Sequence, residues 1–127
     1  MRSLLNRWGP PLAWMGLIFF LSSQPDLPSA PEAWLDLLLK KGAHALAFGV
    51  LAWLYLRALR GPAAPSDRLR LLSLALAVVY AISDEAHQSF VPGRTPRAAD
   101  VLIDTLGAVS VLLLGRYWPP ARPPAPR

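Results

Sequence analysis

The sequence predicts an all-α membrane protein, a four-helix transmembrane bundle with a short interfacial amphipathic helix between the first and second spans. Three observations support this fold class. Hydrophobic residues make up 54% of the 127 residues and charged residues 17%, which is apolar for a soluble protein of this size. The apolar residues are concentrated in four runs. Most of the 13 Lys and Arg lie at the ends of these runs, as membrane topology signals do.

Each apolar run, extended by its flanking residues, can cross the ~30 Å hydrocarbon core of a bilayer. The predicted spans are residues 8–23, 42–59, 71–90 and 98–117, within a single domain of residues 1–118. We expect Pro10 and Pro11 in the first turn of the first helix, where proline is tolerated. The Pro-rich segment 119–127 predicts a disordered tail.

A cleaved signal peptide is the alternative to a retained first span, because a basic start followed by a short apolar run fits one. Pro31, however, closely follows the small residues at which cleavage would occur and is unfavourable there. Three similar apolar runs also follow in the chain. We therefore prefer a retained first span.

The interfacial helix is predicted from residues 29–40. Ser29 and Glu32 have the spacing of a capping box. Glu32, Asp36 and Lys40 then recur at i,i+4 along one stripe, and apolar residues fill the rest of the helix surface. We expect this helix to lie along the membrane with Trp34 at headgroup depth. An ordinary loop helix packed on the bundle is the alternative, and the sequence supports it equally.

Basic residues predict the orientation of the spans. The N-terminus, the 57–70 loop and the tail hold Arg2, Arg7, Arg57, Arg60, Arg68, Arg70, Arg116, Arg122 and Arg127. The other two loops hold Lys40, Lys41, Arg94 and Arg97. By the positive-inside rule both termini are cytoplasmic, and the 24–41 and 91–97 loops lie outside.

The segment Ser83–Asp104 is the most polar part of the chain, and in this topology the polar ends of all four spans meet at the outer leaflet. The candidate binding residues are Ser23, Gln24, Lys41, His44, Asp84, Glu85, Gln88, Arg94, Asp100 and Asp104. Intramembrane acidic residues usually face inward and mark function. We expect Asp104, a turn deeper than Asp100, to have His44 or Arg94 as a partner. The roles of His87 and Arg97 are left open.

Composition excludes some chemistry. The chain contains no cysteine, so disulfides, thiolate nucleophiles and thiolate metal sites are absent. The net charge of +5 is scattered over the ends of apolar runs, which does not favour nucleic-acid binding. No cofactor and no metal site are predicted.

Four short motifs, in this order on four apolar spans, resemble the VanZ-like family of small bacterial membrane proteins. They are Ser22-Ser23-Gln24, Lys41-x-x-His44-x-x-x-Phe48, Asp84-Glu85-x-x-Gln88-x-Phe90-x-x-Gly93-Arg94 and Asp100-x-x-x-Asp104-x-x-Gly107. The resemblance implies a four-helix integral protein of the bacterial cytoplasmic membrane. The founding member of this family is linked to resistance to teicoplanin-type glycopeptides, antibiotics that bind cell-wall precursors outside the membrane.

Three functions remain open. In the first, Lys41, Arg94 and Arg97 hold an anionic group of a membrane lipid or lipid-linked cell-wall precursor, because arginine suits phosphate and carboxylate. In the second, the protein is an enzyme, and its candidate catalytic residues are His44, Asp84, Glu85 and Asp104. In the third it is a small proton-coupled transporter, for which a homo-oligomer would have to supply the path through the membrane.

Overall fold

The structure, a computed structural model, describes residues 2–25 and 29–117. These residues form four α-helices and no β-strand, which confirms the all-α prediction. The helices are α1 (Arg2–Ser22), α2 (Ala33–Arg60), α3 (Asp67–Gln88) and α4 (Ala98–Tyr117). The bounds of α4 are those predicted. The predicted tail, residues 119–127, lies outside the described residues.

The prediction of a separate interfacial helix is wrong, because its residues from Ala33 onward form the first turns of α2. This helix runs without interruption through Lys40, Lys41 and Gly42. Two lysines favour a helix, and one interior glycine costs only about 1 kcal/mol, too little to end it. The capping-box prediction is also wrong, since Glu32 and not Ser29 is the N-cap residue of α2.

Helix α1 begins earlier than predicted, so Pro10 and Pro11 lie in its interior and not in its first turn. A proline inside a helix has no N–H to donate to the preceding turn. The turns before the prolines are nevertheless tied to α2, because Arg7 donates from Nε and Nη2 to Ala58 O at 3.0 and 2.6 Å. Arg7 thereby satisfies carbonyl groups at the C-terminal end of α2.

Helix α2 is central, because it packs against each of the other three helices. Helix α3 also packs against α1 and α4, whereas α1 and α4 make no contact within the described residues. The buried core consists mainly of side chains of α2, which are Phe48, Leu51, Ala52, Tyr55 and Leu56. They face Ala77 and Ala81 of α3 and Ala108 and Leu112 of α4.

Two glycines permit the close approach of α2 and α4. A Cβ atom added to Gly107 would overlap the backbone of Ala45, and one added to Gly49 would lie 2.6 Å from Cγ2 of Val111. Small residues at such crossings are typical of helices that pack in membranes. By contrast, Gly42 has open space around it, so this close approach lies beyond the first turns of α2.

Two helices in the described part of the chain, α2 and α4, are long and apolar enough to cross a membrane. Large apolar side chains are nevertheless exposed on all four helices, for example Phe20 on α1, Leu46 on α2, Val79 on α3 and Leu114 on α4. An exposed apolar surface on this scale is unusual for a soluble monomer. It indicates contact with lipid or with another protein.

Candidate functional site

The candidate binding residues predicted from the sequence lie at one end of the molecule, which we call the site end. It comprises the C-terminal ends of α1 and α3, the N-terminal ends of α2 and α4, and the turn formed by residues 89–97. Hydrogen bonds and ion pairs join these segments: Ser22 of α1 binds Asp84 of α3, and Lys41 of α2 binds Asp100 of α4. At the opposite end, Arg7 binds α2 and Arg116 approaches Asp67.

A buried polar cluster ties α1 to α3. Ser22 Oγ donates to Asp84 Oδ2 at 2.9 Å, and Gln88 Nε2 donates to the same oxygen at 3.2 Å. The three residues are only 3%, 4% and 6% exposed. A hydrogen bond to a charged group contributes about 1.5–3 kcal/mol, so this cluster stabilises the α1–α3 contact.

His87 makes a second tie between the same helices. Its Nε2 lies 2.9 Å from Ser23 Oγ, and its ring stacks on Phe19 with 4.4 Å between centroids. Because the Ser23 hydroxyl donates its single hydrogen to Phe19 O at 2.7 Å, Nε2 must be the donor to Ser23. His87, whose role the sequence left open, therefore packs and orients the end of α1.

Two further residues of the site end satisfy backbone groups at helix ends. Arg94 donates from Nε to Gln24 O at 3.0 Å and from Nη2 to Leu21 O at 3.2 Å, two carbonyls at the C-terminal end of α1, of which Leu21 O also accepts from the backbone N–H of Gln24. Glu85 accepts from the backbone N–H of Arg97, directly before α4. Gly93 permits the tight turn between α3 and α4, because its φ of 81° is a left-handed conformation.

On the α2–α4 side, His44 faces a deeply buried carboxylate. Its Nδ1 lies 3.4 Å from Asp104 Oδ1, and Asp104 is 2% exposed. The expected partner is thus present, but Oδ1 accepts no hydrogen bond from any described residue. Leaving a buried acceptor unsatisfied costs about 1–3 kcal/mol, and more for a charged group.

A cavity of about 410 Å³ opens between the start of α2, the start of α4 and the 93–95 turn. We call it the polar cavity. Six of the ten predicted binding residues line it: Lys41, His44, Gln88, Arg94, Asp100 and Asp104. The other four do not line it, because they make the helix-end and interhelix contacts described above or lie beside them: Ser23, Gln24, Asp84 and Glu85.

Two charged residues that the sequence analysis assigned to the interfacial helix also line the polar cavity. They are Asp36 and Lys40, an ion pair with 2.8 Å between Oδ2 and Nζ. The signal was present in the sequence, since Asp36, Lys40 and His44 share one i,i+4 stripe if a single helix continues through Gly42.

A second cavity, of about 330 Å³, lies between α1 and α2, and we call it the apolar cavity. Its walls are mainly aliphatic and aromatic, including Ile18, Ala43 and Phe48. Four residues line both cavities: Asp36, Lys40, His44 and Arg94. The two cavities are therefore neighbours and share a boundary of charged and hydrogen-bonding side chains.

The carboxylates and histidines of the site end do not form a metal site in this structure. Among the described residues, no group of three or more His, Asp or Glu side chains has an arrangement that could hold a metal ion. The arrangement can make polar and apolar contacts with one ligand. It offers cationic and anionic side chains on one side of a boundary and apolar side chains on the other.

Comparison with known proteins identifies the family. No curated protein and no solved structure matches the chain. One family model, described as VanZ/LLP1, matches residues 8–118, which include all four motifs and every residue that lines the two cavities. This match covers well over half of the sequence, and the chain therefore belongs to the VanZ/LLP1 family.

Proposed function

We propose that this protein crosses the membrane four times and binds a cell-envelope lipid or lipid-linked cell-wall precursor in the neighbouring polar and apolar cavities. Family membership suggests a membrane protein linked to resistance, and two apolar helices fit a membrane location. The observation that carries the proposal is the boundary shared by the two cavities. A lipid has the same division between a charged headgroup and an apolar chain.

Four spans are favoured over two by the surfaces of α1 and α3. Leu12 and Phe20 of α1 are each 60% exposed, and Val79 of α3 is 65% exposed. In water these side chains would form a large apolar patch, whereas in a bilayer they contact lipid tails. Helix α3 is less hydrophobic on average than α2 and α4, partly because acidic residues such as Asp84 lie at its site end.

The length of α2 supports a location of the cavities at headgroup depth. Its 28 residues are about 42 Å long, more than the ~30 Å of a hydrocarbon core. The first turns of α2, which carry Asp36 and Lys40, can therefore reach the headgroup region. The excess of arginine at the opposite end favours an outward-facing site, with both termini in the cytoplasm.

The proposal is tested by filling the apolar cavity. Ala43 lines this cavity, and its side chain is exposed enough for a larger residue to be accommodated without disturbing the core. We expect Ala43→Phe to lose the lipid that the wild-type protein retains in native mass spectrometry after release from its membrane in detergent.

The matched control is Leu46→Phe, on the same helix, because Leu46 is 65% exposed and lines neither cavity. It should retain the lipid as the wild type does, and all three proteins should unfold at similar temperatures. Equal retention in the two variants, or no retained lipid in the wild type, would refute the proposal.

A further inference from the structure

We propose that the lipid bound in these cavities is a zwitterionic phospholipid whose headgroup carries a primary ammonium group. This inference rests on the proposed function and narrows it to one class of ligand. It follows from the charges that line the polar cavity, from the surroundings of Asp104, and from the order in which charged and apolar residues succeed one another along the two cavities.

The polar cavity carries both signs of charge in equal number. Its cationic side chains are Lys40, Lys41 and Arg94, and its acidic side chains are Asp36, Asp100 and Asp104. Four of these six side chains already form two ion pairs, Lys40 with Asp36 and Lys41 with Asp100. These six side chains together carry no net charge; His44, whose Nδ1 lies 3.4 Å from Asp104 Oδ1, is not counted among them. A purely anionic headgroup would therefore gain little from this lining, while a headgroup with both charges matches it.

Asp104 supplies the specific requirement for a donor. It lines the polar cavity, is 2% exposed, and its Oδ1 accepts no hydrogen bond within the described part of the chain. A primary ammonium carries three N–H donors, as the lysine head does. A trimethylated ammonium carries none. The unsatisfied oxygen therefore favours a headgroup of the ethanolamine type over one of the choline type.

The phosphate is expected at the boundary between the cavities, where Lys40 and Arg94 line both. Arg94 uses Nε and Nη2 on the end of α1, and its Nη1 makes no hydrogen bond to a described residue. Lys40 has three donors, of which Asp36 and Ser29 accept two. Each cation thus keeps a donor for a phosphate oxygen.

The resulting order of groups is that of the lipid itself. An acyl chain lies in the apolar cavity against Ile18 and Phe48, the phosphate lies at the boundary, and the ammonium lies deepest in the polar cavity at Asp104. No bond is made or broken. The protein recognises both charges of one headgroup together with part of one chain.

The test compares three phospholipids with identical dioleoyl chains, whose headgroups are ethanolamine, choline and glycerol. Each is titrated into delipidated protein in detergent, and binding is followed by native mass spectrometry. We expect the ethanolamine lipid to bind at least about tenfold more tightly than the other two, because a charge-assisted hydrogen bond is lost in each of them. Asp104→Asn should reduce this preference to within about threefold.

Asp67→Asn is the control variant, because Asp67 is an exposed carboxylate at the opposite end and its side chain is 70% exposed. It should bind all three lipids as the wild type does. If Asp104→Asn fails to fold, the wild type is titrated with mono-, di- and trimethylated ethanolamine lipids, and its affinity should fall as N–H donors are removed.

The outcomes separate the two proposals. If all three lipids bind equally, or the glycerol lipid binds best, and Ala43→Phe abolishes this binding, the cavities hold a lipid but the primary ammonium is not recognised. If no lipid binds, or if Ala43→Phe leaves binding unchanged, both the proposed function and this inference are refuted.

Discussion

Two buried carboxylates at the site end differ in what surrounds them. Asp84 accepts hydrogen bonds from Ser22 and Gln88 on Oδ2, and its buried Oδ1 accepts none from a described residue, but Asp84 lines neither cavity. Asp104 lines the polar cavity, its Oδ1 lies 3.4 Å from His44 Nδ1, and this oxygen accepts no hydrogen bond from a described residue. We therefore assign Asp84 to helix packing and Asp104 to the ligand, although both are acidic residues near the end of an apolar run.

The assignment of Asp84 predicts a loss of stability on truncation. Asp84→Ala removes the acceptor for two buried donors and should lower the free energy of unfolding by about 1–3 kcal/mol. Asp84→Asn keeps an oxygen in place and should lose less. Chemical denaturation in detergent micelles, followed by circular dichroism, measures both changes.

Ser83→Ala is the neighbouring control, since Ser83 is exposed and its hydroxyl bonds only to Tyr80 O in its own helix. It should change the free energy of unfolding by no more than about 0.5 kcal/mol. A loss on Asp84→Ala no larger than that of Ser83→Ala would contradict the assignment.

The sequence predicts which end of the molecule is polar but not which polar residues face a cavity. Helical spacing gives the face of a residue and the topology gives the end, so Lys41, His44 and Asp104 could be grouped in advance. Ser23 and Glu85 satisfy the same criteria, yet they bond to groups of other helices or of the turn. Distinguishing the two roles requires knowledge of partners 12 or 64 positions away.

Among the helices, α2 shows how one wrong boundary hides part of a site. The sequence Lys40-Lys41-Gly42 resembles a loop because it is polar and contains glycine, but it has no proline and no residue that requires a turn. Once the helix is continuous, Asp36 and Lys40 extend the stripe that carries His44. By contrast, α4 has the predicted bounds, because the Pro96 turn precedes it and the apolar run fills it.

The contact between α2 and α4 is predicted to depend on Gly107. Gly107→Ala should lower the free energy of unfolding by about 1–3 kcal/mol, because the new methyl group overlaps the Ala45 backbone and the helices must separate. Thermal unfolding in detergent, with equal protein and detergent concentrations, measures the change.

The same helix offers a matched control in Gly115, which has nothing within 4 Å of an added Cβ. Gly115→Ala should raise stability by up to about 1 kcal/mol through helix propensity alone. If both substitutions shift stability in the same direction and by the same amount, the glycine crossing does not limit the approach of α2 and α4.

For the whole molecule, the site end lies opposite an end that carries helix caps and arginines. The proposed function places the site end on the outer side of the membrane and the arginine-rich end in the cytoplasm. Because the chain has no cysteine, single cysteines can be introduced without background. Ala98→Cys lies at the site end and Ala64→Cys in the loop between α2 and α3, and both positions are exposed.

We expect a membrane-impermeant maleimide to label Ala98→Cys in intact bacterial cells and to label Ala64→Cys only after the membrane is opened. The reason is that more arginines flank position 64 than position 98, and arginine-rich loops face the cytoplasm. Labelling of Ala64→Cys in intact cells, with or without Ala98→Cys, would contradict the outward orientation.

The attachment of α1 has a consequence for the order in which the chain is completed. Its polar contacts at the site end join it to residues made much later: Ser22 and Asp84 are 62 positions apart, and Leu21 and Arg94 are 73 apart. Its packing partners within the described residues are α2 and α3. Helix α1 is synthesised before α2, α3 and α4, and it can complete its polar contacts at the site end only after α3 and the following turn have been made. The apolar cavity, whose lining includes Arg94, is therefore complete only after residues far along the chain from α1 have been synthesised.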